Sequence, residues 1–297
     1  MSYRQEKLDN GPRRSLPLQA IVTLALGHPA HLIGWGVFCF SMIFWWNFGA
    51  ESDWITVFRF AAATESTQGR VTELEETNMS EGGSDDSPGT PIYRVTFQYR
   101  EPGGEWLQTH GHTLGRQYTT GEEVEVEYLA KNPRIARIKG ARVKPFGPWA
   151  ALIGLLPIGA LFTVLIGLGL GLRNLRVVRR GELVRGRLVD KSPTNTTINN
   201  RRVFKLTFEF LDRGGNAHRT SIKTHHPEKL EDDAEELLFY DPAHPEHACA
   251  RDAMPGGVSV NADGSFRAVG PGRATMALLI PPLCLLPHVL VFMARIG

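Results

Sequence analysis

Two kinds of apolar pattern share this chain of 297 residues. The first is the unbroken run. No charged residue appears from His31 to Ala50, from Trp149 to Leu172 or from Ala274 to Ala294. Each run matches the roughly 20 residues that a helix needs to cross a bilayer core. Trp45 and Trp46 close the first run and Trp149 opens the second, where amphipathic rings meet lipid headgroups. Three transmembrane helices are predicted, over 29–50, 149–172 and 274–294. Pro281, Pro282 and Pro287 predict a kink in the third, because each removes a backbone donor and crowds the preceding turn. His288 in that run is expected near the interface, without chemistry. In the second run, Gly167 and Gly171 lie four apart, a close-approach face for another helix.

The second pattern is alternation. "YRVTFQY" places Tyr93, Val95, Phe97 and Tyr99 on one face and Arg94, Thr96 and Gln98 on the other. "FKLTFEF" divides in the same way, with Phe204, Leu206, Phe208 and Phe210 inward. This period of two marks half-buried strands. Both run on to a glycine pair, Gly103-Gly104 and Gly214-Gly215, which predicts hairpin turns because glycine tolerates positive φ. Third strands are expected around Trp106 to Leu114 and His218 to Thr224. "EEVEVEY" turns Val124, Val126 and Tyr128 inward, while its counterpart, Glu236 to Tyr240, alternates less regularly.

These blocks recur in one order. "QGRVTELEETN" and "RGRLVDKSPTN" open the two polar segments, with Thr77-Asn78 and Thr194-Asn195 at the same spacing. Tyr128 and Pro133 then match Tyr240 and Pro245. Three matched blocks read as a duplicated module. Each copy has about five short strands, which suits a small closed barrel without exposed edges. The acidic, Gly-rich loop from Asn78 to Pro91 is expected to be mobile. The fold class expected is therefore an α+β membrane protein, three transmembrane helices carrying two barrel-like modules. In order, these are an N-terminal interfacial segment (1–28), the first helix (29–50), the first module (65–145), the second helix (149–172), the second module (181–257), a linker (258–272) and the third helix (274–294). Arg13 and Arg14 before the apolar Leu16 to Leu26 resemble a signal peptide. Glu6 and Asp9 dilute that signal and a full span follows, so an interfacial helix is the better reading.

Composition removes several function classes. Lys and Arg total 33 against 31 Asp and Glu, so no global field favours nucleic acid. Cys39, Cys249 and Cys284 form no spaced set, which argues against a disulfide framework or a structural zinc site. Asn78-Met-Ser and Asn195-Thr-Thr match glycosylation acceptors, triplets too common to carry weight alone. The richest candidate cluster is His225, His226, His244, His247 and Cys249, all in the second module. Adjacent His225 and His226 on a strand would point to opposite faces. The first module has Asn132 and Ile135 where the second has His244 and His247, so metal binding is no property of the module, and the cluster is expected to diverge. His110 and His112 share a strand face that reads as polar and outward. The acidic run Glu228 to Glu236 lacks the spacing of a calcium loop and reads as a solvated loop or short helix. No nucleophile–base set, phosphate loop or zinc-protease motif stands out.

The Gly-Arg-Val start, "YRVTFQY", the Gly-Gly hairpin and "TTGEEVEVEYLAKNPRIARI" together resemble the bacterial membrane-protein family of domain of unknown function 3592. The likeness covers both modules and the span between them; His244 stands where the family pattern has Asn. It implies membrane anchoring and a β-rich module, and no established activity or catalytic residues.

One span of 149–172 separates the modules, too short for a helical hairpin across a core of roughly 30 Å. The modules are thus expected on opposite sides. Arg4, Lys7, Arg13, Arg14, Arg173, Arg176, Arg179, Arg180, Arg185 and Arg187 outnumber Arg134, Arg137, Lys139, Arg142 and Lys144. That places the N-terminus and second module in the cytoplasm and the protein in a bacterial inner membrane. The function expected is a non-enzymatic scaffold or accessory subunit without catalytic residues, cofactor or metal. Its partners would be the lipid bilayer and a protein partner or second copy, with no nucleic acid. The alternative is a membrane-anchored small-molecule or metal sensor.

Overall fold

The computed structural model describes residues 14–60, 64–101, 103–261, 265–268 and 270–296. Arg4, Lys7 and Arg13 of the charge count, Glu6 and Asp9, and part of the 258–272 linker lie outside the described residues. The chain forms two compact units, residues 40–158 and residues 1–39 with 159–297.

Three helical stretches, Pro29–Gly49, Pro148–Arg180 and Gly272–Ile296, are long and apolar enough to cross a membrane. The first is α2 (Pro29–Phe44), continued by a π turn, and follows a short α1 (Leu18–Leu26). A one-and-a-half-turn α3 (Trp54–Arg59) comes next. The second stretch is a 3-10 segment leading into α4 (Leu155–Arg180), and the third is α5 (Pro271–Ile296). α5 runs unbroken through Pro281, Pro282 and Pro287. α4 continues past the expected end at Leu172 because Arg179 and Arg180 suit the negative end of the helix dipole. Phe40, Phe162, Leu165, Leu283 and Met293 are exposed large apolar side chains on these stretches.

The unit of residues 40–158 holds β1 (Thr64–Glu81), β2 (Thr90–Arg100), β3 (Trp106–Leu114), β4 (Glu123–Leu129) and β5 (Asn132–Ile138). They form one sheet in the order β3-β2-β1-β4-β5. It is nearly closed: His112 N–H donates to the Arg142 carbonyl just beyond β5 (2.7 Å), and Arg142 N–H donates back (2.9 Å). Val71, Val95, Phe97, Tyr99, Val126 and Ile138 fill its interior. The loop expected to be mobile is shorter than its composition suggests. Glu81 pairs with Thr90 and Ser80 with Pro91, and Ser84 and Ser87 exchange backbone hydrogen bonds across the tip.

The other unit holds β6 (Glu182–Ile198), β7 (Arg201–Leu211), β8 (Ala217–Thr224), β9 (Glu236–Asp241) and β10 (His244–Ala250). Their order, β10-β9-β6-β7-β8, is the same path read from the other edge. Leu206, Phe208, Phe210, Leu238 and Tyr240 form the interior. A short hairpin, β11 (Val258–Val260) and β12 (Phe266–Ala268), occupies what reads as linker. Val258 and Phe266 join Ala20, Leu24, Val177, Val178 and Phe239 in a second apolar cluster. α1 packs on the outside of β9 through Ala20 and Leu24. This also explains the irregular alternation of Glu236 to Tyr240. β9 is covered on both faces, Leu238 and Tyr240 toward the sheet interior and Phe239 toward α1, and strands buried on both sides lose alternation.

The matched sequence blocks occupy matched structural positions. Gly69 pairs with Tyr99, and Gly186 with Phe210. A Cβ on Gly69 would strike Val126, and one on Gly186 would strike Leu238, so glycine at each site lets a bulky interior residue cross the strand. The register slips after Val71 and again after Leu188. Thr77 Oγ1 donates to the Ile92 carbonyl (2.5 Å) and Thr194 Oγ1 to the Val203 carbonyl (2.8 Å), each within the second slip. Tyr128 Oη donates to Glu65 and Tyr240 Oη to Glu182, both at 2.7 Å. Gly104 and Gly215 take positive φ (88° and 80°) in the two hairpins.

Candidate functional site

The histidines mark where the chemistry could lie, and the structure sorts them into three groups. His110 is exposed on β3, but His112 is not on a polar outward face as its alternation suggests. It is 4% exposed, because the chain after β5 folds back and closes the sheet over it. His112 Nδ1 lies 3.2 Å from the Val143 carbonyl. Burial, first among the causes, lowers its pKa to about 4. Burial and the nearby Arg94 and Lys144 lower His110 as well. These imidazoles border a cavity of about 360 Å³ with Glu51, Arg94 and Lys144, and their surroundings favour the neutral form. Lys144 is paired with Glu51 at 2.8 Å. Arg94 is paired with Glu75 at 3.2 Å, so both cations of the notch have a carboxylate partner.

His225 and His226 follow the end of β8 rather than lying on it. Their rings approach to 4.3 Å between centroids instead of pointing apart. His226 Nδ1 sits 2.9 Å from Glu228 Oε1 and 3.0 Å from Arg201 Nη1, which holds it in a surface network. Cys249 turns the other way, into the apolar cluster with Phe239, and burial pushes its thiol up to about 12. That burial disfavours the thiolate form on which ligation and nucleophilic attack depend.

The third group is on β10. His244 and His247 have ring centroids 5.4 Å apart, and Glu246 lies between them. Its Oε1 is 3.6 Å from His244 Nδ1 and 3.7 Å from His247 Nε2. Among the described residues, these three are the group of His, Cys, Asp or Glu whose ligand atoms all lie within 4.8 Å of one another. Glu246 and His247 also border a cavity of about 380 Å³, shared with Arg173, Asn174, Arg219 and Thr220. Sequence spacing singled out the two histidines; the carboxylate between them went unweighed, although it is adjacent in the chain. His225, His226 and Cys249 take no part in the group.

His288 on α5 is buried, with its ring 6.1 Å from that of Phe38. One further expectation changes. The acidic run Glu228 to Glu236 is solvated only in part. Leu230 is buried, and Glu236 is 2% exposed with Oε1 lacking a hydrogen-bond partner. Glu236 pairs with Gly186 as Val124 pairs with Gly69, so a carboxyl fills a position that is apolar in the first sheet. Burial, with Asp252, Asp232 and Asp233 nearby, raises its pKa from 4.5 to about 7. The folded state thus holds this proton more tightly than the unfolded chain. Its contribution to stability is complete below pH 4.5 and is lost as pH rises through about 7. Glu236→Gln should melt close to the wild type in acid and above it at pH 8. A constant difference across that range in paired thermal melts would contradict the assignment.

No protein-family model matches this chain, and no curated protein or solved structure matches it either.

Proposed function

We propose that this chain is a multi-pass membrane protein of the family of domain of unknown function 3592. In this reading it is a non-enzymatic scaffold or accessory subunit, whose duplicated barrel modules lie on opposite sides of a bacterial inner membrane and bind protein partners. The observation that carries the reading is the filling of both sheets. Phe97, Tyr99 and Val126 in one, and Leu206, Phe208 and Leu238 in the other, are almost wholly buried inside their sheets, so the outer surfaces are what remains for recognition. Both modules also expose a large apolar side chain at the base of the same hairpin. Trp106 pairs with Arg100 beside the Gly103-Gly104 turn, and Leu211 pairs with Ala217 beside Gly214-Gly215. Tryptophan is among the residues enriched at interface hot spots.

Membrane insertion is supported by the exposed apolar side chains of the three long helices, which would form a hydrophobic surface far too extensive for water. The shared side of the N-terminus and second module is supported by Arg14. Its Nη1 donates to the carbonyls of Gly181 (2.6 Å) and Val178 (3.3 Å), and its guanidinium lies 4.8 Å from the Phe239 ring centroid. The arginines at 173–187 then favour the cytoplasm for that side.

Single cysteines replacing Trp106 and Leu211, in a background without Cys39, Cys249 and Cys284, test both parts. A membrane-impermeant maleimide should label them from opposite faces of intact vesicles. A benzophenone maleimide at the same positions should give discrete adducts with a second protein in native membranes. Labelling of both from one face would end the topology, and adducts with lipid alone at both positions would end the scaffold reading.

A further inference from the structure

We propose that His244, Glu246 and His247 form a binding site for a divalent transition-metal ion, Zn²⁺ by the chemistry of its donors. Two imidazoles and a carboxylate are a borderline N/O set that suits zinc with one position open. The carboxylate's two separations approach that geometry, and all three donors lie within 4.8 Å of one another. Ligands at about 2.0–2.1 Å from a tetrahedral ion lie roughly 3.4 Å from each other. Here the carboxylate oxygen is 3.6 Å and 3.7 Å from the two imidazole nitrogens. These separations are too long for hydrogen bonds, so the three groups converge without satisfying one another. A small rotation of side chains at the surface would close the set on a cation.

The backbone is what brings them together. On a regular strand His247 would face away from His244 and Glu246. Pro245 offers no N–H to the ladder, and the pairing of β10 with β9 jumps between His244 and Ala248. That irregularity turns His247 toward the other two. Thr220 on β8 is buried, and its Oγ1 donates to the Glu246 carbonyl (3.0 Å), anchoring the segment at its middle. Arg219 borders the adjoining cavity, but Glu209 holds its guanidinium at 2.9 Å, which tempers repulsion of a cation. The corresponding strand of the first sheet carries Asn132, Arg134 and Ile135, a set that binds no such ion. The site is therefore specific to the second sheet, and it stands or falls separately from the scaffold reading.

The test is titration of the purified full-length chain, without a purification tag and in detergent micelles, with Zn²⁺ alone and with Co²⁺ alone. One equivalent of Zn²⁺ should bind saturably, and Co²⁺ should show the visible absorption of a four-coordinate N/O site. The double variant H244A/H247A should lose the equivalent while keeping the metal-free melting profile, because His244 is exposed and His247 is only half-buried. Glu246→Gln should weaken binding, and H225A/H226A should leave it unchanged. Absence of saturable binding, or an equivalent that survives in H244A/H247A, would overturn the site.

Discussion

Phe208→Ala should destabilise the second sheet by about 3–5 kcal/mol, the usual cost of removing a buried aromatic ring. Phe208 has no exposed surface. It faces Leu206, Phe210, Leu238 and Tyr240 in one cluster and pairs across the sheet with Leu188 on one side and Thr220 on the other. The Cβ of Phe208 is also among the atoms a side chain at Gly186 would meet, at ordinary van der Waals distance, so the two strands are in contact around it. A closely packed sheet relaxes little around a void, which puts the loss toward the upper part of that range. Hydrogen exchange on the full chain reads the effect locally. Amides of β6 to β9 should lose protection while those of β1 to β4 keep theirs, since Phe97 fills the other interior separately. Unchanged protection in β7 would mean that the ring is not part of the core.

The second large effect is expected in the helices. Gly167→Leu and Gly171→Leu should each disrupt the packing of α4 on α1 and α2. A Cβ at Gly167 would overlap the backbone of His31 and Ala30, and one at Gly171 would overlap the carbonyl of Ala25. Side chains can rotate out of the way, but backbone cannot, so the cost should reach or pass the roughly 1–3 kcal/mol of ordinary overpacking. The contact also carries a polar element, His31 Nδ1 at 3.2 Å from the Val164 carbonyl, which separation of the helices would leave unpaired in an apolar setting. Gly169 lies between the two on the same helix, and a Cβ there meets nothing within 4 Å. Gly169→Leu is therefore the matched control and should be close to neutral. Thermal aggregation of detergent-solubilised protein compares the three directly; equal behaviour of all three would remove the close-approach face.

Much of this architecture was legible in the residues because its physical causes are local. The three apolar runs form helices long and apolar enough to cross a membrane, and the strand faces of Tyr93 to Tyr99 follow from a period of two. Gly167 and Gly171 stood out because only glycine permits backbones to touch, and the structure adds which backbone they meet. The repeated Thr-Asn pairs were visible as a match without a reason. The reason is tertiary: Thr77 and Thr194 each donate across a register slip to a neighbouring strand.

What the residues misled about shares one cause. His112 and Glu236 carry a local pattern of exposure, and each is buried in the fold. Alternation reports which side of a strand a residue takes, and says nothing of what arrives later to cover that side. His112 is sealed when residues after β5 return to β3, and Phe239 is sealed by Ala20 and Leu24 from the other end of the chain. The same limit applies to the histidines. Spacing along the chain fixes how far apart two side chains can be, so it could propose His244 with His247. Whether they face each other depended on a break in the pairing of β10 with β9, a contact between strands that no spacing within β10 encodes. The sequence by itself thus determined the three long apolar helices and the strand faces. Only the tertiary structure decided which polar groups are buried and which converge, because burial and convergence are made by parts of the chain that are neighbours in space alone.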